Sequence, residues 1–482
     1  MTNFGKQMFT WMKDLFPVCR SLTGDGVDET LSYLKNKIGI QINILKFKTG
    51  KKVFDWTIPE VWNIKDGYIK TLSGEKIVNF KDNNLHVVGY STPINKVISK
   101  KDLLKHIYTQ PNQPKWIPYV TSYYKKNWGF CVSENFKKKI KNKKYRVYID
   151  STHKNGDLKI AETLIKGKTS KEIFFSTYFC HPSMASDNLS AVIVQSALIK
   201  YINKNYKKTN FTYRFIFIPE TIGSIAYLSD NLNKLKKNMI AGFNLSCIGD
   251  DRCYSHVESR NGENLADQAL TAALLGKKNV KKYSFLYRGS DERQYCAPGI
   301  DLPVCGFSRS KFGEYKEYHT SADNLNIISA TSLQNSLDVL ISIVDAFEAE
   351  LKPLTTIKGE PQLSKYNLYP SISQKGIVKK GVFSKQEFIN RCNLIAYADG
   401  KRNIFEISKR INMPETGGST LCIRDLGFSR GCFNRLMGHV YMFWNPRFFQ
   451  VSALFYTRIR PNFHSNFGCM CQEFGKIRNK SE

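Results

Sequence analysis

The run "EIFFSTYF" (residues 172–179) carries no charge after its first residue and none of the regular polar alternation of a half-exposed strand. A strand of this kind has to be covered on both faces. The residues after it narrow the choice further. Beyond Cys180, His181 and a small-residue turn, "NLSAVIVQSALIKYI" spaces its apolar residues as a helix does. The alternation then recurs. Strands are expected at "YRVYID", "YRFIFIP" and "AGFNLSCI", and helices at "IGSIAYLSDNLNKLKK", "NLADQALTAALLG" and "SLQNSLDVLISIVDAFEAEL". The expected fold class is therefore α/β, a mostly parallel mixed sheet with helices on both faces. Ligands of such sheets bind beyond the carboxyl ends of the strands. Three strands end in "CHPS", "PETIGS" and "GDD", which puts His181, Glu220 and Asp250 on one rim.

At 482 residues the chain is too long for one ordinary domain. Residues 51–124 read differently from the rest, as short alternating strands broken by Pro, Gly and Asn-Asn, with a short helix at "KKDLLKHIYTQ". They suggest a small β-rich domain inserted into an α/β domain made of residues 1–50 and 125–352. Residues 353–374 read as a linker. Residues 375–413 give two helices around "ADGKRN", a partial winged helix-turn-helix. Residues 414–482 hold two lysines against seven arginines, the reverse of the Lys-rich remainder, and are left unassigned. "Cys469-Met-Cys471" within them is a poor metal motif.

The net charge of +31 raises the prospect of nucleic acid or an anionic surface. The lysines are spread almost everywhere, however, mostly beside Asn and Ile, so solvated faces and a compositional bias explain them as well. No window of eighteen apolar residues indicates a membrane span, and the N-terminus lacks the features of a signal peptide. Scattered cysteines in apolar runs, such as Cys180, Cys247 and Cys305, suit a reduced, cytoplasmic protein.

Five stretches can carry chemistry: "CHPSMASDN", "IPETIGS", "NLSCIGDD", "RGSDERQYCAPGIDLPV" and "EYHTSADN". A lone strand-end histidine is more often structural than a ligand, and the same holds for each carboxylate alone. Their joint placement at strand ends changes this. His181, Asp187, Glu220 and His319 make a nitrogen and oxygen donor set that suits zinc.

The order of these residues resembles the co-catalytic zinc aminopeptidases. His181 is followed by "Asp187-Asn188-Leu189-Ser190-Ala191" opening a helix, then an acidic turn with Gly-Ser, then Ser-Asp before "Gly-Ile-x-x-Pro", then "His319-Thr320-Ser321-Ala322-Asp323". More closely, residues 8–413 resemble a bacterial aminopeptidase-like family with a β-rich lid inserted into the peptidase domain and a C-terminal winged helix. Those proteins are often linked with polysaccharide biosynthesis. The resemblance implies His181 and His319 as metal ligands and Asp187 as the bridging carboxylate. Glu220 serves as general base or ligand, since Pro219-Glu220 stands where the zinc aminopeptidases have two adjacent glutamates. Ser246 stands in place of a ligand aspartate, so Asp250, Asp251 or Asp291 substitutes for it, or the site holds one metal ion.

The implied activity is zinc-assisted hydrolysis of an amide bond, with one or two zinc ions. Glu220 is the first candidate for the base and Glu292 the second. Asp291 is a further candidate ligand, or a partner orienting His319. Arg260, Arg293 and Arg309 are candidates to hold a substrate carboxylate or phosphate. Tyr123, Tyr124 and Trp128 sit where the insertion rejoins the peptidase domain, and hinge packing is their simpler role. The implied partner is a peptide or small amide substrate, with no membrane. Nucleic acid and a homo-oligomer stay open. Two alternatives remain: a deacylase or amidase acting on an amino sugar or small amine, and a lapsed enzyme that binds through its winged helix.

Overall fold

The computed structural model describes residues 4–349, 352–354, 359–360, 362 and 385–412. Eight strands build one mixed sheet, in the spatial order Asn43–Lys48, Asp157–Ile165, Thr212–Ile218, Glu172–Tyr178, Met239–Leu245, Val304–Ser308, Tyr254–Val257 and Val280–Tyr283. The central strands, from Thr212–Ile218 to Val304–Ser308, run parallel, and antiparallel pairings flank them on both sides. This is the sheet expected from the apolar runs.

Burial shows why those runs lack alternation. Every residue of Glu172–Tyr178 and of Thr212–Ile218 is buried. Alternate side chains then serve two cores, as the two-residue repeat of a strand requires. Ile173 and Phe175 join the core beneath the helices Gly5–Leu15, Ser190–Asn205, Leu265–Leu274 and Ala330–Glu348. Phe174 and Tyr178 join the opposite core, roofed by the helix Ile222–Asn238. Phe175 stacks on Phe215 and on Phe243, with centroids 5.1 and 5.2 Å apart, which ties three adjacent strands together.

A second, four-stranded antiparallel sheet has the order Lys76–Asn79, Val61–Lys70, Lys144–Lys154, Ile94–Ser99. It contains "YRVYID", which the sequence placed in the large sheet. Tyr145 pairs with Ile98 and Tyr148 with Tyr68, so this strand returns into the inserted sheet before the chain enters the large one. The second sheet has its own core around Ile69, Phe130 and Val147. The insertion is nevertheless not separate. Val53, Ile58, Trp62 and Tyr90 belong to the same buried cluster as Phe174, Tyr178 and Ile218 of the large sheet.

The helices Lys385–Tyr397 and Ile404–Ile411 come last. Asn403 caps the second, with Glu406 completing a capping box. Its buried face, Ile404, Phe405 and Ile407, packs into the large sheet's helical core, with Phe405 5.3 Å from Phe347. Most of the expected linker and all of residues 414–482 lie outside the described residues. Among the described residues no helix is long and apolar enough to cross a membrane.

Candidate active site

The strand Glu172–Tyr178 delivers His181 to the carboxyl end of the sheet. The chain then turns at Ser183, where φ is 44°, and enters the Ala185–Leu189 segment that leads into the helix Ser190–Asn205. Asp187 is thereby folded back under its own strand, where the Tyr178 hydroxyl donates to its Oδ1. The loop after Val304–Ser308 brings His319 in from the other side. Its Nε2 lies 3.0 Å from Asp187 Oδ2, and His181 Nε2 lies 4.0 Å from the same oxygen. Glu220, at the end of Thr212–Ile218, places Oε2 3.8 Å from His181 Nε2.

Asp187 Oδ2 and His319 Nε2 are both buried and neither makes a hydrogen bond. They face each other closely without the alignment for one. Buried polar atoms are almost always satisfied, so two unsatisfied atoms aimed at a common point mark a place built for something else. Among the described residues, His181, Asp187 and His319 are one of two groups whose donor atoms all lie within 4.8 Å of one another. Two imidazoles and a carboxylate, with Glu220 beside them, are a donor set that fits zinc.

The protonation states agree with that fit. Burial pushes His181 down to about 4 although Asp187 opposes it, so its ring is neutral near pH 7 and its lone pair is free. Burial alone would raise the Asp187 carboxyl, but His181, His319 and the Tyr178 hydroxyl outweigh it and hold the group well below the carboxylate range. Glu220 is raised well above its ordinary value by burial and by the charges of Asp291 and Asp187.

Several residues without a sequence signal of their own support this cluster. Asp323, in the quoted "HTSAD" segment but given no role there, accepts the N–H groups of Ser186 and Asp187 and the Tyr315 hydroxyl. Asn188 ties the turn to neighbouring strands by donating to Thr177 and to the Leu245 carbonyl and accepting from the Cys247 N–H. Arg20 donates to the His181 carbonyl at 3.2 Å. Ser183, Thr221, Cys247 and His319 all have positive φ near 44–65°. Such conformations persist only where the surroundings impose them, and here they ring one cleft.

The other expected residues divide. Glu292 is fully buried and accepts from Asn244 and from the N–H groups of Gly289 and Ser290, so it has no free edge toward the cleft. Asp291 accepts from the Thr221 N–H and from Ser224, fixing the turn that carries Glu220; no hydrogen bond joins it to His319. Burial pushes it up to about 6. Asp250 accepts from Ser310 and from the Arg252 N–H, Asp251 is exposed, and Ser246 lies 3.2 Å from Ser308, so neither of those aspartates stands in for a ligand at Ser246, whereas Asp291 Oδ2 is buried without a hydrogen-bond partner. Arg260 pairs with Asp301 on the surface. Arg309 is buried against the Tyr254 ring and donates to the Cys253 carbonyl. Arg293 alone of the three arginines sits at the rim, donating to Thr221 beside Glu220. Tyr124 packs edge-on against exposed Trp56, and Trp128 stacks on His106, both as hinge packing. Tyr123 reaches the cleft through Tyr119.

Over residues 9–350 the chain matches the family described as a domain of unknown function (DUF4910), and over residues 352–418 a winged helix-turn-helix family. A Clostridium acetobutylicum protein, provisionally named a polysaccharide biosynthesis protein with aminopeptidase-like domain, is 38% identical over 411 residues, covering 85% of this chain and 92% of that protein. A solved structure from the same organism, provisionally named a peptidase, is 37% identical with a TM-score of 0.76, covering 85% of this chain and 93% of that one. A zinc aminopeptidase from Bacillus subtilis has a TM-score of 0.50 at 15% identity, covering 70% of this chain and 94% of that one, and so shares the fold.

Proposed function

The chain belongs to the DUF4910 family, with an aminopeptidase-like fold followed by a winged helix-turn-helix, and on that premise we propose that it is a zinc-dependent hydrolase of amide bonds, most simply an aminopeptidase. One observation carries the reading. Asp187 Oδ2 and His319 Nε2 face each other at 3.0 Å, buried and without hydrogen bonds, beside a neutral His181.

His181, Asp187 and His319 would hold the ion, and Glu220 stands at the open edge. Zinc there would supply polarisation of the scissile carbonyl and a water acidified toward a pKa of about 7. Tyr178 keeps its proton and holds Asp187 Oδ1, which leaves Oδ2 directed at the cleft. Beside the charge of the ion, Glu220 would ionise, and as a carboxylate it could take the proton of the attacking water and return it to the leaving amine. Arg293 meets a substrate carboxylate at the rim. Pro219 and Ser246, where a second ion would want carboxylates, favour a single tightly held zinc. The described cysteines are all unpaired, which supports a cytoplasmic setting.

A second reading changes the substrate to an acylated amino sugar. It draws on the polysaccharide biosynthesis in the Clostridium relative's name and on the missing carboxylates. Elemental analysis tests the site first. One zinc per chain is expected, and none in Asp187→Ala; a wild-type protein that takes up no zinc on incubation refutes the site. Turnover of peptides against acylated amino sugars then separates the two substrates.

A further inference from the structure

Segment 113–121 of the insertion runs along the loop that carries His319. The Tyr119 N–H donates to the His319 carbonyl at 2.8 Å, the Ser321 N–H donates to the Ile117 carbonyl at 2.9 Å, and Pro118 and Thr320 form a β-bridge. This register carries the Tyr119 ring up to both imidazoles. It lies 5.1 Å from the His181 ring and 5.2 Å from the His319 ring, centroid to centroid. The Tyr119 hydroxyl is 2.8 Å from that of Tyr123. Tyr123 packs edge-on against Tyr90.

Two phenols hold two O–H protons, and the bond between them uses one. Among the described residues neither hydroxyl makes another hydrogen bond. A phenol keeps its proton at neutral pH, so both hydroxyls are available as donors. One donor is therefore left over on a hydroxyl pair whose Tyr119 ring lies against both imidazoles. A leftover donor in a partly buried place is costly unless a ligand accepts from it.

We propose that the Tyr119–Tyr123 hydroxyl pair is a substrate-binding donor, contributed by the insertion, whose free O–H bonds the carbonyl oxygen of the amide and the oxyanion it becomes. The assignment rests on the hydrolase reading above. The pair is neutral and held in place by a ring against two histidines and by a backbone bond to one of them. A donor fixed in this way gains strength as charge develops on the oxygen, so it acts more on the transition state than on the bound substrate.

The test is the double variant Tyr119→Phe/Tyr123→Phe, with each single variant beside it. Phenylalanine keeps the rings and their packing and removes only the hydroxyls. With zinc content and thermal midpoint unchanged, kcat is expected to fall about 10²–10³-fold in the double variant, with KM changed far less. Smaller losses are expected in the singles, because one hydroxyl still has its proton. Zinc and kcat both within twofold of wild type would overturn the assignment alone. Zinc lost in step with activity would also overturn it, since the pair would then act by holding the histidines. A wild-type protein with no zinc and no turnover of either substrate class fails at the hydrolase reading, and the assignment falls with it.

Discussion

The Asp323 carboxylate accepts a hydrogen bond from the backbone N–H of Asp187 at 3.0 Å, and one from that of Ser186 at 2.6 Å. Asp187 and His319 belong to segments far apart in the chain, and Asp323 lies four residues beyond His319. One side chain thus pins the turn of the first donor to the loop of the second. Outer partners of this kind typically tune metal affinity 10–100-fold. Asp323→Ala is expected to weaken zinc binding by about that factor, measured by competition with a chromogenic chelator. An affinity equal to wild type would show that the turn holds its shape unaided.

The Glu220 side chain is about three-quarters buried, with 24% of its surface exposed, and no hydrogen bond with the described residues engages its carboxylate. As the base, it should be separable from the ligands. Glu220→Gln is expected to keep zinc and lose about 10²–10⁴-fold in kcat. If zinc disappears as well, Glu220 is a ligand and the base lies elsewhere.

The three arginines differ in where they point, which gives a graded comparison. Arg293→Ala removes the rim cation and should raise KM for substrates with a free carboxylate while sparing those without one. Arg260→Ala breaks only a surface pair with Asp301, so thermal midpoint and kinetics should both stay at wild-type values. Equal effects of the two on KM would remove Arg293 from the site.

Deep under the sheet, Arg214 makes a two-pronged pair with Glu172, at 2.6 and 2.7 Å, and also bonds Glu162. Arg214 and Glu172 are both almost wholly buried. Removing the arginine strands a buried carboxylate, so Arg214→Met should cost roughly 3–5 kcal/mol in denaturant unfolding. Adding Glu172→Gln should recover part of the loss. A double variant as unstable as the sum of both singles would mean the pair is not coupled.

Much of this architecture is legible in residue patterns, for reasons of burial. The charge-free run at Ile173–Phe179 can only be an interior strand, and its end fixes where His181 emerges. The turn to Asp187 follows from the small residues between strand and helix. Pairing partners are less legible. "YRVYID" looks like any other strand, and nothing in it announces that Tyr148 will face Tyr68 in the smaller sheet. Glu220 and Glu292 also look alike in sequence. What separates them is three hydrogen bonds to Glu292 from groups that only the fold brings near. Tyr119 lies some sixty residues before His181 in a stretch without a motif, so its place beside both histidines is a tertiary fact.

The core that Trp62 and Tyr90 share with Tyr178 and Ile218 has an evolutionary consequence. A module joined to its host in this way cannot be exchanged like a cartridge. A chimera carrying another protein's insertion would expose apolar surface on the host unless it brought its own counterparts of those rings, and it would lose the neighbour against which the imidazoles rest. The insertion and the cleft have to diverge together, as a single heritable unit.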